Sequence, residues 1–319
     1  MSEQAVIAVD LGGTHIRSAV VTADGVMSNR LMSPTRAERG PTAVIDGMAE
    51  LINCTSDAAG LGGDVSIGVA SPGPLNPRTG TVLCTPNLPG WRHIPLVDHL
   101  QERTRRTVYL ANDGNCGALG EVRFGSAKGV QDLIYLALGT GVGGGIVSGG
   151  VLINGVRGLG AEVGHVGVSM NGPRCTCGSV GCLEAFVGGW AIQCEAEAVA
   201  TTADGKLMRD LAKDGPIHAG IVARAADAGD SAATLILDRA GHALGAAMGA
   251  FINIFNPRMI VIGGGVAAIG EHLVGPARQV LPMYCFVDMR AVLTIAYSSL
   301  GNDTGLFGAA ALALAAIER

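Results

Sequence analysis

The chain has 319 residues, of which 48% are hydrophobic, and a formal net charge of -5. That length is enough for two lobes of about 100 to 200 residues, each with its own core. No apolar run reaches the roughly 18 uninterrupted residues of a membrane span, and an acidic balance without clustered Lys and Arg argues against nucleic acid as a partner.

Met-Ser-Glu-Gln carries no basic region ahead of the short apolar run Ala5 to Val9, so no secretory signal is expected. Ala5 to Val9 predicts a first strand running into Asp10-Leu-Gly12-Gly13-Thr14. Ile16 to Val21 and Val26 to Leu31, with Asp24-Gly25 between them, predict a hairpin behind it. A glycine pair and a threonine between strands can wrap phosphate with backbone N–H groups and a hydroxyl, while Asp10 can hold a metal-bound water. An ordinary glycine hairpin is the plain alternative. Pro41 to Ala59 predicts a helix with Val44, Ile45, Met48, Leu51 and Ile52 near one face. The strand Val65 to Ala70 then runs into Ser71-Pro72-Gly73-Pro74, a turn that presents backbone at Gly73 to a ligand. Thr85 to Trp91 reads as a rigid loop carrying one amide, Asn87, able both to donate to and to accept from hydroxyls. Asparagine in such a loop is otherwise a turn residue.

The strand Thr107 to Ala111 delivers Asn112 and Asp113 at its carboxyl end, where open α/β sheets place their ligands, and a helix from Asn115 to Phe124 follows. Asp113 there can take the proton of an attacking hydroxyl while the neighbouring amide orients the substrate; it equally suits a helix N-cap. Leu133 to Leu138 is an apolar strand opening into Gly139-Thr140-Gly141-Val142-Gly143-Gly144-Gly145, with Ile146 to Ile153 as the next strand. This stretch contains Gly-x-Gly-x-x-Gly with Glu162 about twenty residues on. A dinucleotide site needs a helix after the glycines, however, and β-prone residues follow. Strand, glycine turn, strand repeats the layout at Asp10 to Thr14 and gives a second hairpin for the same phosphate chain.

The densest motif runs from Glu162 to Glu184. Its spacing, His165-x9-Cys175-x-Cys177-x4-Cys182, lets three thiols and one imidazole close a tetrahedral shell of the kind structural zinc takes, with no open position for substrate. Gly178 and Gly181 allow the tight turns of such a knuckle. The bland alternative is three unrelated thiols beside a histidine. Cysteines 54, 84, 116, 194 and 285 lie far apart, fit reduced thiols in a cytoplasm, and are expected to fill core positions. Beyond the knuckle, 188–201, 216–228 and 231–255 predict alanine-rich helices, the last stopped at Asn256-Pro257. Arg258 to Ile262 predicts a strand ending in Gly263-Gly264-Gly265-Val266, a turn suited to lie against adenine and ribose. Gly263-x-Gly265-x-x-Ala268 is also a weak dinucleotide match. A strand at Val292 to Ala296 and a helix from Asp303 to Ile317 close the chain.

Glu-x-Gly-His followed by Cys-x-Cys-Gly-x-x-Gly-Cys-x-Glu resembles the signature of the ROK sugar kinases and sugar-sensing repressors. Asp10-x-Gly-Gly-Thr14, Pro-Asn87-Leu-Pro-Gly-Trp, the Asn112-Asp113 segment and Phe-x-Asn-x-x-Asn-Pro-x-x-Ile-Val-Ile-Gly-Gly-Gly-Val resemble its other motifs, in order along most of the chain. The resemblance implies an α/β, two-lobed actin-like ATPase (ribonuclease H-like) fold, with a zinc knuckle in the larger lobe and ATP in the cleft. It implies a small lobe of residues 1–113, joined by the C-terminal helix 303–319, and a large lobe of residues 114–302. The expected activity is ATP-dependent phosphorylation of a hexose at the 6-hydroxyl, glucose first, with N-acetylmannosamine, fructose or allose as alternatives. Asp113 is implied as the general base, and Gly73, Asn87, Asn112, Glu162, His165 and Glu184 as sugar contacts. ATP is implied at Asp10, Gly12, Gly13, Thr14, Gly139, Thr140, Gly141, Gly143, Gly144, Gly264 and Gly265; Mg2+ accompanies it, and Zn2+ is implied on His165, Cys175, Cys177 and Cys182. His15 stands where many relatives have lysine, and Gly114 and Gly117 where alanines are common. The family's repressors carry a DNA-binding segment ahead of the first phosphate motif, and only nine residues precede Asp10, so the regulator reading is the weaker one. A cytoplasmic homodimer or larger homo-oligomer, with no nucleic-acid or membrane partner, completes the expectation.

Overall fold

The computed structural model describes residues 4–85 and 88–318. Asn87 lies outside the described residues. In chain order the elements are β1 (Ala5–Leu11), β2 (His15–Thr22), β3 (Met27–Pro34), α1 (Pro41–Ala58), β4 (Ile67–Ser71), β5 (Leu75–Asn76), β6 (Thr81–Cys84), β7 (Arg92–Ile94) and α2 (Leu96–Thr104). There follow β8 (Val108–Asn112), α3 (Asp113–Arg123), β9 (Leu133–Leu138), β10 (Val142–Ser148), β11 (Val151–Leu152), α4 (Glu184–Val187), α5 (Gly189–Ala200), α6 (Lys206–Ala212) and α7 (Ala219–Asp227). The last are α8 (Ser231–Phe255), β12 (Met259–Gly263), α9 (Glu271–Val280), α10 (Val287–Arg290), β13 (Thr294–Tyr297) and α11 (Thr304–Ile317). The chain divides into two compact units: residues 1–131, 145–161 and 298–319 form unit 1, and residues 132–144 and 162–297 form unit 2.

Unit 1 is built on a sheet of order β3-β2-β1-β4-β8, antiparallel between β1 and β2 and parallel from β1 through β4 to β8. Strand alternation sorts β1 between two cores. Ile7 and Val9 pack with Ile45, Met48 and Ile52 of α1 and Leu96 and Leu100 of α2. On the opposite face Val6 and Ala8 pack with Cys116 of α3 and Leu306, Ala309, Ala310 and Ala313 of α11. The second face is lined with small residues because backbone meets backbone there. A Cβ on Gly68 would lie 1.9 Å from the Ala309 carbonyl oxygen, and one on Gly308 would lie 2.1 Å from that of Cys116. α11 is thereby fixed against both the sheet and α3. Unit 1 also holds a small antiparallel sheet, β5-β6-β7, which hydropathy patterning did not foresee.

The second five-stranded sheet has the order β11-β10-β9-β12-β13, and the unit boundary falls within β10. In unit 2, β9, β12 and β13 run parallel, with Gly263 opposite Ala137 at the carboxyl ends of their strands. The 25-residue α8 is long and apolar enough to cross a membrane by length and composition alone. Its Leu237, Leu244, Met248 and Ile252 are instead buried in the core. Asp230 starts it, its carboxylate accepting from the N–H groups of Ala232 and Ala233 at 2.9 and 3.0 Å, and Asn256 ends it in the left-handed conformation at φ 43°.

Three expectations are corrected. Ile146 to Ile153 is not one strand: β10 begins at Val142, within the glycine run, and a Gly149-Gly150 turn separates it from β11. Asp113 is not the N-cap of α3; Asn112 is, accepting from the Gly114 N–H at 2.9 Å. Of the scattered cysteines only Cys116 is core, while Cys54, Cys84 and Cys194 are exposed and Cys285 is half-buried. Cys54 and Cys194 fall off the buried faces of α1 and α5, so helical position overrides their apolar character. The two units of mixed sheet flanked by helices are consistent with the actin-like ATPase fold.

Candidate active site

In unit 1 the β1–β2 hairpin places Gly12, Gly13 and Thr14 in its turn, the latter two exposed. The turn is braced from β3's end. Thr35 donates its N–H to the Thr14 carbonyl at 2.9 Å and its hydroxyl to the Gly12 carbonyl at 2.6 Å. Asp10, directly opposite Arg17 in the hairpin register, forms an ion pair with it. Arg17 and Arg30 both reach Asp303, at 3.8 and 2.8 Å, and Arg17 also donates to the Asn302 carbonyl, so the start of α11 is tied to β2 and β3. A Cβ on Gly305 would meet Asp10 Cγ at 2.6 Å. The first turn of α11 therefore lies against that carboxylate, where helix N–H groups favour negative charge. His15 is exposed at the head of β2, so the cation beside this hairpin is Arg17.

At the carboxyl end of β8 the chain turns directly into α3. Asn112 offers its oxygen to the Gly114 N–H, and its amide nitrogen lies where a Cβ on Gly73 would meet it at 2.9 Å. Gly73 and Asn112 are thus in contact. Asp113 is exposed on the first residue of the helix, and one carboxylate oxygen accepts from the Gly114 N–H at 2.8 Å. Burial pushes the Cys116 thiol well above its ordinary value, with the nearby Asp113 and Asp10 carboxylates adding to the effect. Two acidic groups from distant parts of the sequence therefore act on one point beneath the α3 start.

In unit 2 the glycine turn after β9 exposes Thr140, and the Gly139 and Thr140 carbonyls accept from the N–H groups of Gly189 and Trp190 at 2.9 and 3.1 Å. Gly264 and Gly265 are exposed beyond β12. Glu184 joins this turn to the cysteine knuckle. One of its oxygens accepts from the Val142 N–H at 2.9 Å, and the other accepts from the Thr176 hydroxyl at 3.1 Å and the Cys175 thiol at 3.5 Å. Glu162 precedes the single helical turn Val163–His165 and accepts there from the His165 N–H at 3.1 Å through its carbonyl. Partial burial raises the Glu162 carboxyl; His165 opposes this and the neighbouring Glu184 adds to it.

The four expected metal ligands meet. His165, Cys175, Cys177 and Cys182 present ligand atoms that all lie within 4.8 Å of one another. Cys175 Sγ is 3.7 Å from His165 Nδ1, and Cys177 and Cys182 sulfurs are 3.8 Å apart. Gly181, at φ 70°, closes the knuckle where a Cβ would strike the Ser169 carbonyl at 1.8 Å. Ser179 donates to Cys177 and lowers it to about 7, whereas burial and the Cys177 contact push Cys182 up to about 12.

Sequence reasoning missed Arg17, Thr35, Gly305 and Glu121. Arg17 was legible in principle, because opposite charges face each other once the hairpin register is counted out from the turn. Glu121 is fully buried, accepting from the Ser126 N–H at 2.8 Å and from the Ser298 hydroxyl.

The ROK family model matches residues 6–316. A glucokinase from Thermotoga maritima is 38% identical over 313 residues, covering 98% of this chain and 98% of that protein. A ROK hexokinase from Thermus thermophilus superposes with a TM-score of 0.82, at 32% identity, over 98% of this chain and 99% of its own. A ROK family glucokinase from Streptomyces griseus, solved in complex with glucose and AMPPNP, gives a TM-score of 0.81 at 32% identity with the same coverage. With the match running through both units, from β1 to the last helix, this chain belongs to the ROK family.

Proposed function

We propose that this chain is an ATP-dependent hexose kinase of the glucokinase type, forming glucose 6-phosphate and ADP. The observation that supports this most directly is Asp113. It is an exposed carboxylate on the first residue of α3 beside an Asn112–Gly73 pair, in a chain 32–38% identical to proteins named glucokinase. In this reading Asp113 accepts the proton of the 6-hydroxyl as that oxygen bonds to the γ-phosphorus and the bond to the β,γ-bridging oxygen breaks, releasing ADP. Gly73, Asn112, Glu162, His165 and Glu184 bond the other sugar hydroxyls, together with Asn87. An ionised carboxylate offers about four acceptor sites, so Glu184 keeps capacity for a hydroxyl beyond its Val142, Thr176 and Cys175 bonds.

Gly12, Gly13 and Thr14 of unit 1 and Gly139, Thr140, Gly141, Gly143 and Gly144 of unit 2 serve the phosphates, and Gly264 and Gly265 the adenosine. Asp10 would hold water of an ATP-bound Mg2+, which would supply charge neutralisation at the phosphates. We place the reaction in the cytoplasm, in a homodimer or larger assembly. His165, Cys175, Cys177 and Cys182 fit a structural Zn2+. Their 3.7 and 3.8 Å separations are close to the roughly 3.8 Å edge of a tetrahedron with Zn–S near 2.3 Å. With Nδ1 of His165 toward the thiols, Nε2 is the nitrogen left for a sugar hydroxyl.

The test is ADP release with ATP and Mg2+ across glucose, mannose, fructose, allose, N-acetylglucosamine and N-acetylmannosamine. Turnover highest on glucose is expected. Turnover highest on N-acetylmannosamine, the substrate named for relatives at 30–31% identity, would move the specificity. Absence of turnover on every sugar by folded protein would overturn the kinase reading.

A further inference from the structure

A cavity of about 550 Å3 opens in unit 1 between the end of β3 and the outer face of α1, with Ser33, Thr35, Arg36, Arg39, Gly47 and Glu50 among its walls. None of the roles assigned above uses it. Arg36 and Arg39 are exposed and take part in no ion pair among the described residues. Asp46, which also lines the cavity, is held by Arg103 at 2.7 Å, so it does not neutralise them. Arg36 sits at φ 52°, ψ 48°, a left-handed conformation that is unfavourable for a residue with a side chain.

We propose that this cavity binds a small hydroxylated phosphate ester, with the phosphate on Arg36 and Arg39 and the hydroxyls on Ser33 and Glu50. Paired guanidinium groups match phosphate oxygens in geometry and charge. Glu50 disfavours a second anionic group but accepts readily from hydroxyls. The volume lies within the range of small-ligand sites, about 300 to 1,000 Å3. Thr35 gives the site a consequence, because the same residue that forms its wall fastens the first glycine hairpin through its bonds to Gly12 and Thr14. Occupancy therefore changes nucleotide affinity, and by linkage nucleotide changes ligand affinity by the same factor. This second step rests on the kinase reading, whereas binding itself does not.

The experiment is calorimetric titration of the full chain with ribose 5-phosphate, ribose as the neutral control, in wild type, Arg36→Gln/Arg39→Gln and Gly47→Leu. A Cβ on Gly47 meets no atom within 4 Å, so the leucine enters the cavity without displacing backbone. Saturable binding of ribose 5-phosphate to wild type, at least tenfold weaker in both variants and absent for ribose, is the expected result. Binding unchanged in both variants, or none to wild type at millimolar probe, overturns the site. Titrating AMPPNP with and without the probe reads the coupling without turnover. A chain inactive on every sugar that still loses probe binding in both variants would retain the site and lose only the kinase reading.

Discussion

Replacing Gly308 by alanine drives α11 and α3 apart at the point where they cross. The new Cβ would sit 2.1 Å from the Cys116 carbonyl oxygen and 2.3 Å from its carbon, against an ordinary contact of 3.4 to 4 Å. The obstacle is backbone within a helix, which has no rotamer to change. Overpacking of a well-filled core costs about 1 to 3 kcal/mol, and rigid partners on both sides put this substitution near the upper figure. Three kcal/mol corresponds to a fall of about 6 to 12 °C in the melting temperature of a unit this size. Because α3 begins with Asp113 and α11 abuts Asp10, turnover per folded molecule falls as well. Gly47→Ala is the internal control: it is the same change within a helix, but its Cβ meets nothing within 4 Å, so it should stabilise by about 0.5 to 1 kcal/mol. Chemical denaturation of the three proteins provides the comparison. A Gly308→Ala unfolding free energy within about 0.5 kcal/mol of wild type would refute the close-approach argument.

Asp113→Asn keeps the Gly114 bond and the Asn112 cap and should fold normally, with kcat reduced about a thousandfold; near-native turnover removes the base assignment. Glu121→Gln tests a pH effect. Burial raises its carboxyl above the ordinary 4.5, so the folded chain holds the proton to higher pH than the unfolded one. Its contribution is therefore greatest below 4.5 and declines as pH rises through the folded value. In a series of melts from pH 4 to 8 the wild type should lose stability relative to Glu121→Gln, and parallel curves would contradict this. Cys182→Ser should lose bound zinc and raise the glucose KM at least about tenfold with little change in that for ATP; full activity in a zinc-free variant would separate the knuckle from sugar binding.

The parts of the site most legible in the sequence were those whose chemistry is compressed into a few neighbouring residues. The cluster of His165, Cys175, Cys177 and Cys182 could be read because short spacing keeps the three thiols close in space, and the four side chains do come within 4.8 Å of one another. The glycine run 139–145 was half legible. Glycines punctuate turns, yet Gly143, Gly144 and Gly145 lie inside β10. At Gly144 a side chain would strike the Tyr135 carbonyl at 2.2 Å, a constraint from a neighbouring strand that no local pattern carries. The two- to four-residue strands β5, β6 and β7 are too short to show an alternation. Glu121 stayed hidden because its partner Ser298 lies 177 positions away.

The route of the chain bears on how the molecule is made. Unit 1 opens with β1 but lacks one wall of its core until residues 304–317 arrive, since Leu306, Ala309, Ala310, Ala313 and Leu314 are all fully buried. During synthesis the apolar face formed by Val6, Ala8 and Ala70 waits uncovered while nearly all of unit 2 emerges from the ribosome. The unit begun first is the last to be completed, and loss of the final helix by a premature stop would leave that face to aggregation or to chaperones however well the remainder had folded.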